Sequence, residues 1–308
     1  MIDEKGLKPE KGPILQPGEE VAAGYEVIAH LRRGKRLDVY DVWSVERACR
    51  CIAKTITPDR VDEDKARVKL ASEAELLLRL THPNIVRAYE MVQSSVGTPV
   101  LILETLTGRT VSHLIDEFPD GMELEDVLWL GLHLCSAVAY LHRHGCLHLD
   151  IKPDNVISEA GRAKLIDLSI SGEEGSSSAG AGTYDYLAPE QARGEPVSAA
   201  TDVWGIGITL FEALTGTVPF EPDEDGDDEG DSASDSTDAS GDFDPGFYPQ
   251  ATERAPLVIT RRREDLPAPL AELIDACLEP APADRPSVTE LTDRLARVAS
   301  VDPRESAG

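Results

Sequence analysis

The segment HLDIKPDN, residues 148–155, contains three side chains whose chemistry suits phosphoryl transfer. Asp150 can orient a hydroxyl nucleophile and accept its proton, Lys152 can neutralise charge on a γ-phosphate, and Asn155 can bind Mg²⁺ through its amide oxygen. Asp167 follows an apolar run in KLIDLS and can supply a second oxygen ligand. Any one of these residues alone is more often part of an ordinary turn or cap, but their ordered spacing argues against chance.

Two apolar patterns divide the chain into a sheet-forming part and a helical part. Between residues 25 and 104, alternating or β-branched segments predict about five strands, and residues 62–80 predict one helix. From residue 124 onward the period is helical, with helices expected at 124–145, 200–215, 266–279 and 286–299, and with Ser287 as the cap of the last. A small sheet-based lobe followed by a larger helical lobe is therefore expected.

Further motifs follow one another along the chain: IAKTI (52–56), HPNIV (82–86), ILETL (102–106), GTYDYLAPE (182–190), DVWGIG (202–207) and DRPS (284–287). With HLDIKPDN, they resemble the protein kinase family over about residues 24–299. The KPDN context and Thr183 are similar to serine/threonine kinases rather than tyrosine kinases. The resemblance is to the eukaryotic-like (Hanks-type) serine/threonine kinases of the soluble prokaryotic type.

This resemblance implies an α+β, bilobal protein kinase fold, with a small antiparallel-sheet N-lobe containing one helix and a larger, mostly helical C-lobe. The domain boundaries it implies are a flexible N-terminal tail at 1–23, the N-lobe at 24–103, the hinge and C-lobe at 104–299, a disordered acidic insert at about 221–246, and a C-terminal tail at 300–308.

The family's activity is transfer of the ATP γ-phosphate to Ser or Thr hydroxyls of protein substrates, with Mg²⁺, or alternatively Mn²⁺, as the metal. By resemblance, Asp150 and Lys152 are catalytic, and Asn155 and Asp167 are metal ligands. The residues expected to bind ATP are Gly34, Val39, Ala53, Lys54, Glu73, Glu104, Leu106 and Ile157. Glu73 is the expected partner of Lys54, with Glu75 as the alternative, and Leu103 is expected to gate the adenine pocket. The resemblance also implies an Arg285–Glu190 pair and contacts from Asp202 to the catalytic-loop backbone.

The phosphate-binding loop departs from the family pattern GxGxxG, because only the middle glycine, Gly34, is kept in residues 32–37. Four cations occupy this loop, namely Arg32, Arg33, Lys35 and Arg36. One hypothesis is that their charge partly replaces backbone amides in holding the triphosphate. The alternative is a solvated hairpin tip with no ligand role.

Two further departures concern regulation. DLS replaces the family's DFG, and Ser169 lacks the φ freedom of glycine, which predicts a stiffer segment. Leu149 stands where many kinases have an arginine that receives an activation-loop phosphate. Its presence predicts activity independent of that phosphorylation, although four serines are available in the loop: Ser171, Ser176, Ser177 and Ser178.

Composition limits the partners of this 308-residue chain. A formal net charge of −27 argues against binding to nucleic acids or anionic membranes, and the excess charge suits either ordinary solubility or a salty cytoplasm. No apolar run approaches 18 residues and the N-terminus is polar, so a cytoplasmic location is expected. The five scattered cysteines are interpreted as reduced thiols. Nothing in the sequence indicates an oligomeric state.

Alternatives remain for the activity and for the acidic insert. A pseudokinase that acts as an ATP-binding scaffold would explain the altered glycine loop, although it would not need the whole catalytic set. A small-molecule phosphotransferase shares the Asp-x-x-x-x-Asn loop but lacks the APE-like segment. Residues 221–245 carry twelve Asp or Glu and no Lys or Arg. They are interpreted as a solubilising loop, or else as an autophosphorylation target or a tether for a basic partner.

Overall fold

The computed structural model describes residues 12–177, 180–220, 249–252, 263 and 266–300. The acidic insert, Ser178, most of the predicted C-terminal tail and the first eleven residues of the predicted N-terminal tail lie outside the described residues. The chain divides into two compact units. The first ends at Thr81 and resumes over Val86–Leu106, and the second comprises His82–Ile85 and the chain from Thr107 onward.

The first unit contains one antiparallel sheet of six strands in the order β1-β2-β3-β4-β6-β5. The strands are β1 Glu20–Ala22, β2 Tyr25–Arg33, β3 Leu37–Ser44, β4 Cys49–Ile56, β5 Ala88–Gln93 and β6 Pro99–Glu104. Five of them confirm the expected strands.

The additional strand, β1, corrects the predicted N-terminal tail. Its residues Val21 and Ala22 are buried, and Leu15 packs against the same core. Burial of these apolar side chains holds the segment on the sheet, so the prediction of a tail that extends to residue 23 is wrong for residues 20–22. The reason is that the charged and glycine-rich composition of the N-terminus masked a short apolar segment.

Helix α1, Asp64–Arg79, lies between β4 and β5 in the chain and matches the helix predicted at 62–80. Its buried residues Leu70, Ala74 and Leu77 recur at helical spacing, and Glu73 is buried on the same side. The helix ends at Arg79, and the next residue, Leu80, has an extended backbone shortly before Pro83.

The second unit contains a three-stranded antiparallel sheet and seven described helices. The strands are β7 Arg109–Thr110, β8 Val156–Glu159 and β9 Arg162–Leu165. The helices are α2 Val111–Glu117, α3 Leu124–Arg143, α4 Pro189–Ala192, α5 Ala199–Thr215, α6 Pro249–Thr252, α7 Ala268–Cys277 and α8 Val288–Val298. The four predicted helices correspond to α3, α5, α7 and α8. The predicted cap of α8 is confirmed, because the Ser287 side chain accepts a hydrogen bond from the Glu290 N–H.

Helix α3 is long and apolar enough to span a bilayer, judged by length and hydropathy alone. Half of its apolar window is buried within the second unit, where α3 packs against α5 and α8. Because the central helix of a globular lobe has the same length and hydropathy, we assign α3 to the core.

A buried ion pair connects α4 with the segment that precedes α8. Two nitrogens of Arg285 donate to the two carboxylate oxygens of Glu190, both at 2.8 Å, and Arg285 also donates to the Ala200 and Glu279 carbonyl oxygens. The guanidinium lies 5.0 Å from the centre of the Trp204 ring. Burial opposes ionisation of Glu190, but the hydrogen bonds and charge of Arg285 outweigh it, so the pKa of Glu190 lies below the ordinary 4.5.

We expect Arg285→Met to lower the free energy of unfolding by about 3–5 kcal/mol at pH 7.5, because it leaves the Glu190 carboxylate buried without its cation. In the wild type, the stability from Glu190 is present above the ordinary pKa and is lost as pH falls through the lower, folded pKa. In the variant, burial alone raises the pKa of Glu190, so the deficit should shrink as pH falls from 7.5 to 5.5.

Urea unfolding at the two pH values measures this effect, with the exposed Arg297→Met as the control for losing one arginine. A deficit that is small, or that grows on acidification, would contradict the assignment of Arg285–Glu190 as a paired buried charge.

Candidate active site

Lys54 and Glu73 form the predicted ion pair within the first unit. The Lys54 Nζ lies 2.7 Å from Glu73 Oε1, and the two residues are 8% and 2% exposed. Glu75, the alternative partner, is exposed to solvent. The structure therefore identifies Glu73 as the partner, on the buried face of α1.

The side chain of Ala53 belongs to a different surface from that of Lys54. Ala53 is fully buried in a core cluster with Tyr40 and Val42, whereas Lys54 extends to α1. Consecutive residues of a strand point to opposite faces of the sheet. The assignment of Ala53 to the ATP site is therefore corrected, and Ile52 is the residue that shares a face with Lys54.

Strand register places three more apolar side chains on the face of Lys54. Val39 lies opposite Lys54 in the β3–β4 pair, and in the β4–β6 pair Leu103 lies opposite Ile52 and Leu101 lies opposite Lys54. Directly opposed residues of an antiparallel pair share a face. Val39 and Leu103 were expected near the nucleotide, and this register is compatible with that role.

The chain runs from β6 into two other predicted ATP-binding residues. Glu104 ends β6, and its N–H donates to the Arg87 carbonyl oxygen at 2.9 Å. Leu106 is partly exposed at the end of the first unit. In the second unit, Ile157 lies on β8 opposite Lys164 and is also partly exposed.

The catalytic-loop candidates converge on the carboxylate of Asp150. Asn155 Nδ2 donates to Asp150 Oδ2 at 2.8 Å, and Thr183 Oγ1 donates to Asp150 Oδ1 at 3.0 Å. Lys152 Nζ donates to the same Thr183 oxygen and lies 4.0 Å from Asp150 Oδ2. Asp150, Lys152, Asn155 and Thr183 thus form one connected network, in which the carboxylate is held in place and a cation lies beside it.

Asp202, in the first turn of α5, holds the backbone of this loop. Its carboxylate accepts hydrogen bonds from the N–H groups of His148 and Leu149, at 2.9 and 2.8 Å, and lies 2.7 Å from His142 Nε2. Asp202 is fully buried. The predicted contact of Asp202 with the loop backbone is confirmed, while the contact with His142 was not predicted.

Asp167 follows β9 and has a positive φ of 65°, the left-handed region. Its Oδ1 accepts from the Ser169 N–H at 3.1 Å, and Leu168 between them is buried. Ser169 itself has no positive φ, so the replacement of glycine costs nothing in this conformation.

The donor set of the second unit fits a divalent cation. The two hydrogen bonds that Asn155 donates to Asp150 both use the amide nitrogen, so the amide oxygen can serve as a ligand together with the Asp167 carboxylate. Mg²⁺ prefers hard oxygen ligands and is commonly held by one or two protein groups plus phosphate oxygens.

Comparison with known proteins gives a consistent result. The model of the protein kinase domain family matches residues 25–295. The chain belongs to the protein kinase domain family.

Among its curated relatives, a probable serine/threonine-protein kinase of Streptomyces coelicolor is 30% identical over 249 residues, which cover 77% of this chain and 37% of the relative. A probable serine/threonine-protein kinase PknB of Lactococcus lactis is 30% identical over 68% of this chain and 34% of its own length. The serine/threonine-protein kinase pkn3 of Myxococcus xanthus is 26% identical over 94% of this chain and 54% of its own. The chain thus spans about a third to a half of the length of these relatives.

Among solved structures, the kinase domain of Mycobacterium tuberculosis PknI matches with a TM-score of 0.67 and 24% sequence identity. The match covers 92% of this chain and 99% of that domain. At this identity the likeness shows the fold alone.

The altered glycine loop of this kinase domain is the β2–β3 hairpin. Two of its four cations are paired with carboxylates, and the other two are exposed. Arg33 donates two hydrogen bonds to Asp38, both at 2.8 Å, and Arg36 Nε lies 3.2 Å from Glu63 Oε1. Arg32 and Lys35 are exposed. Arg33 and Arg36 have carboxylate partners, so the hypothesis that cationic charge partly replaces backbone amides in holding the triphosphate is kept for Arg32 and Lys35.

The activation segment of this kinase domain is held by a residue that the sequence did not reveal. Gln191 in α4 is buried, and its Nε2 donates to the Leu149 and Ala181 carbonyl oxygens at 2.9 and 3.1 Å. Its Oε1 accepts from the Ala188 N–H at 3.1 Å. A single glutamine in a helical context carries no sequence signal for such a role, because its partners are backbone atoms 10 and 42 residues away or within its own turn.

Two acidic residues have raised pKa values: Asp185, within the segment Tyr184–Tyr186, and Glu212, which is hydrogen-bonded to Tyr186. Burial raises the pKa of Glu212 to about 7, although the Tyr186 hydroxyl donates to Glu212 at 2.8 Å. Burial also raises the pKa of Asp185, and the neighbouring charge of Lys152 opposes that shift. Both carboxyls were missed from the sequence, because burial of Glu212 on an otherwise apolar helix is a tertiary property.

If the exposed cations of the hairpin attract nucleotide phosphates, Arg32→Ala and Lys35→Ala should each weaken ATP binding about two- to fivefold at low salt. Each variant should also flatten the dependence of ATP affinity on ionic strength, because one screened attraction is removed. Titration of ATP at several salt concentrations measures both effects, with the exposed helical Lys69→Ala as the charge-matched control. Salt dependence identical to that of the wild type would favour the solvated-hairpin alternative.

Proposed function

We propose that this chain is an ATP-dependent serine/threonine protein kinase. The observation that supports this most is the network around Asp150, in which Asn155, Thr183 and Lys152 are all hydrogen-bonded in one connected set. A scaffold released from catalysis has no physical need to keep this arrangement. The family relationship and the named relatives agree with the proposal.

In the proposed reaction, the hydroxyl oxygen of a Ser or Thr side chain forms a bond to the γ-phosphorus of ATP as the bond to the ADP oxygen breaks. Asp150 orients the hydroxyl and accepts its proton, and its carboxylate is kept in position by Asn155 and Thr183. Lys152 donates to the transferring phosphoryl group and offsets its charge.

Nucleotide binding in the first unit is assigned to Lys54, whose ammonium group, fixed by Glu73, would contact the α- and β-phosphates. The apolar residues Val39 and Ile52, on the same face, would pack against the adenine. Glu104 and Leu106 would provide the backbone groups that hydrogen-bond to the adenine edge. Gly34 would let the hairpin approach the phosphates, and Ile157 is assigned to the ATP site by the family resemblance.

We assign Asn155 and Asp167 as ligands of Mg²⁺, which when bound neutralises charge on the phosphates. Protein substrates are favoured over small molecules, because GTYDYLAPE and DVWGIG are present and Gln191 hydrogen-bonds Ala188 within the first of these motifs and Ala181 directly before it. The net charge of −27 disfavours nucleic acids and anionic membranes as partners, and a cytoplasmic location remains a prediction.

Asp150→Asn should lower the rate of phosphoryl transfer by about 10²–10⁴-fold while leaving ATP binding nearly unchanged, because it removes only the proton acceptor. Transfer of radiolabelled phosphate to a generic protein substrate measures the rate, and the exposed Asp120→Asn is the matched control. A wild type that binds ATP without transferring phosphate would support the pseudokinase, and transfer to a small-molecule acceptor alone would support the phosphotransferase.

We further propose that activity does not require phosphorylation of the activation segment. Leu149 is buried in an apolar cluster with Leu147 and Val197, against which Ile170 and Ala199 pack. This cluster joins the catalytic loop to the start of the activation segment, at Ile170, and to residues that follow APE, at Val197 and Ala199, through apolar contacts. Backbone hydrogen bonds add to it, including Gly175 N–H to the Val197 carbonyl and Val197 N–H to the Ser176 carbonyl. Position 149 is a leucine, so a phosphate on the activation segment would have no arginine partner there.

Enzyme treated with phosphatase should therefore keep its kcat within about twofold of untreated enzyme, because apolar packing does not depend on an added charge. The check is a kinase assay on protein whose unmodified state has been verified by intact mass. Replacement of the four loop serines by alanine should give the same result. Loss of activity that returns only when the segment is phosphorylated again would refute the proposal.

A further inference from the structure

The β2–β3 hairpin is connected by charged side chains to the segment that begins α1. We propose that Arg33 and Arg36 are positioning residues, which hold by ion pairs a hairpin whose outer glycine positions are occupied by Arg32 and Leu37, and which link it to the helix that carries Glu73. The inference rests on the proposed function only in that the hairpin is taken to cover ATP. We call Arg33–Asp38 the hairpin ion pair and Arg36–Glu63 the helix link.

The hairpin ion pair connects the two strands of the hairpin, since Arg33 lies on β2 and Asp38 on β3. Asp38 is 1% exposed and accepts two hydrogen bonds from Arg33, while His30 Nε2 lies 3.0 Å from the same carboxylate. Burial opposes ionisation of Asp38, but Arg33 and His30 outweigh it and keep its pKa below 3.8. Bidentate arginine–carboxylate pairs fix orientation as well as distance. Arg33 is therefore fixed along the hairpin and is also bound to the Gly12 carbonyl oxygen, at 2.6 Å.

The helix link connects the tip of the hairpin with the start of α1. Arg36 Nε lies 3.2 Å from Glu63 Oε1, Arg60 donates to Glu63 Oε2 at 2.8 Å, and the Thr57 N–H donates to the Arg36 carbonyl at 2.9 Å. Glu63 occupies the N-cap position of α1, but its side chain makes no capping hydrogen bond. Its carboxylate is directed to the two arginines instead, and the hydrogen bonds of Arg60 and Arg36 lower its pKa.

Helix α1 carries Glu73, which is paired with Lys54. A displacement of the hairpin tip therefore pulls on the same helix that positions the phosphate-binding lysine. The helix link provides a direct mechanical connection between the hairpin and that ion pair.

The backbone of the hairpin does not itself require a flexible glycine. Gly34 has no positive φ, and a Cβ at this position would have the Leu37 carbonyl oxygen as its nearest neighbour, at 3.4 Å. The backbone closes this turn without glycine dihedrals, because the Gly34 N–H donates to the Leu37 carbonyl oxygen at 2.8 Å, and side chains can add further restraint. The hairpin ion pair and the helix link supply this restraint, and Arg32 and Lys35 are exposed beside them.

A charge swap tests the helix link. Arg36→Glu and Glu63→Arg each place like charges together, and we expect each to raise KM for ATP about 3- to 30-fold with a smaller change in kcat. The double variant restores an opposite pair and should recover most of the loss. Because it leaves Arg60 without its carboxylate, Arg60→Gln measures that contribution. Arg32→Glu, at a position without the link, should not be rescued by Glu63→Arg.

Hydrogen exchange provides a readout independent of catalysis. The Thr57 amide, which is bonded to the Arg36 carbonyl, should lose protection in each single variant and regain it in the double. Thermal unfolding of every variant, and Glu63→Gln as a milder change, separate local loosening from general misfolding.

If the double variant shows the combined losses of the single variants in both exchange and KM, the proposal is wrong. If the exchange pattern is as expected but no variant, nor the wild type, transfers phosphate, the proposed kinase activity fails while the link stands. If exchange is unchanged in all variants, the link does not hold the hairpin.

Discussion

The carboxylate of Asp202 is the constraint on which the catalytic loop depends. It is fully buried and accepts hydrogen bonds from two consecutive N–H groups, those of His148 and Leu149. Leu149 has a φ of 68°, a conformation that costs a non-glycine residue about 1–2 kcal/mol. The loop keeps this strained backbone because both polar groups of Leu149 are bound. Asp202 accepts from its N–H, and Gln191 donates to its carbonyl oxygen. Asp150 is the residue after Leu149, so the fixed backbone of Leu149 also fixes the starting point of the Asp150 side chain.

The same anchoring explains how the activation segment is ordered. Gln191 bonds both the catalytic loop and the Ala181 carbonyl oxygen, and the Leu149 side chain packs on Val197. Polar contacts on one side of the loop and apolar contacts on the other are thus made by a single residue, Leu149. An arginine at this position would have to bury or solvate a charge, and the segment would then depend on a counter-charge. The leucine makes the ordered arrangement a property of the fold.

Most of the fold and the catalytic set could be predicted from the sequence because the chemistry is local. Asp150, Lys152 and Asn155 lie within six residues, and periodicity identified the helix that carries Glu73. Ala53 was misassigned because the motif match did not consider that neighbouring residues of a strand face opposite sides of the sheet. In the β3–β4 pair, Val39 lies opposite Lys54, whereas Ala53 lies opposite the buried Tyr40. The roles of Gln191 and Glu63 were missed because their partners lie far away in the chain or are backbone atoms, and no spacing rule connects them.

The glycine-loop hairpin shows why charge counted along a sequence does not give function. Four cations within five residues suggested one shared role, yet two of them already have carboxylate partners, one across the hairpin and one at the start of α1. Desolvation favours such pairing: Asp38 is buried and would lose its bidentate cation without Arg33. In a strongly acidic protein, carboxylates compete with any anionic ligand for each arginine, and the structure decides the competition residue by residue. The exposed Arg32 and Lys35 form no ion pair within the described part of the chain, so at these two cations a phosphate meets no carboxylate competitor.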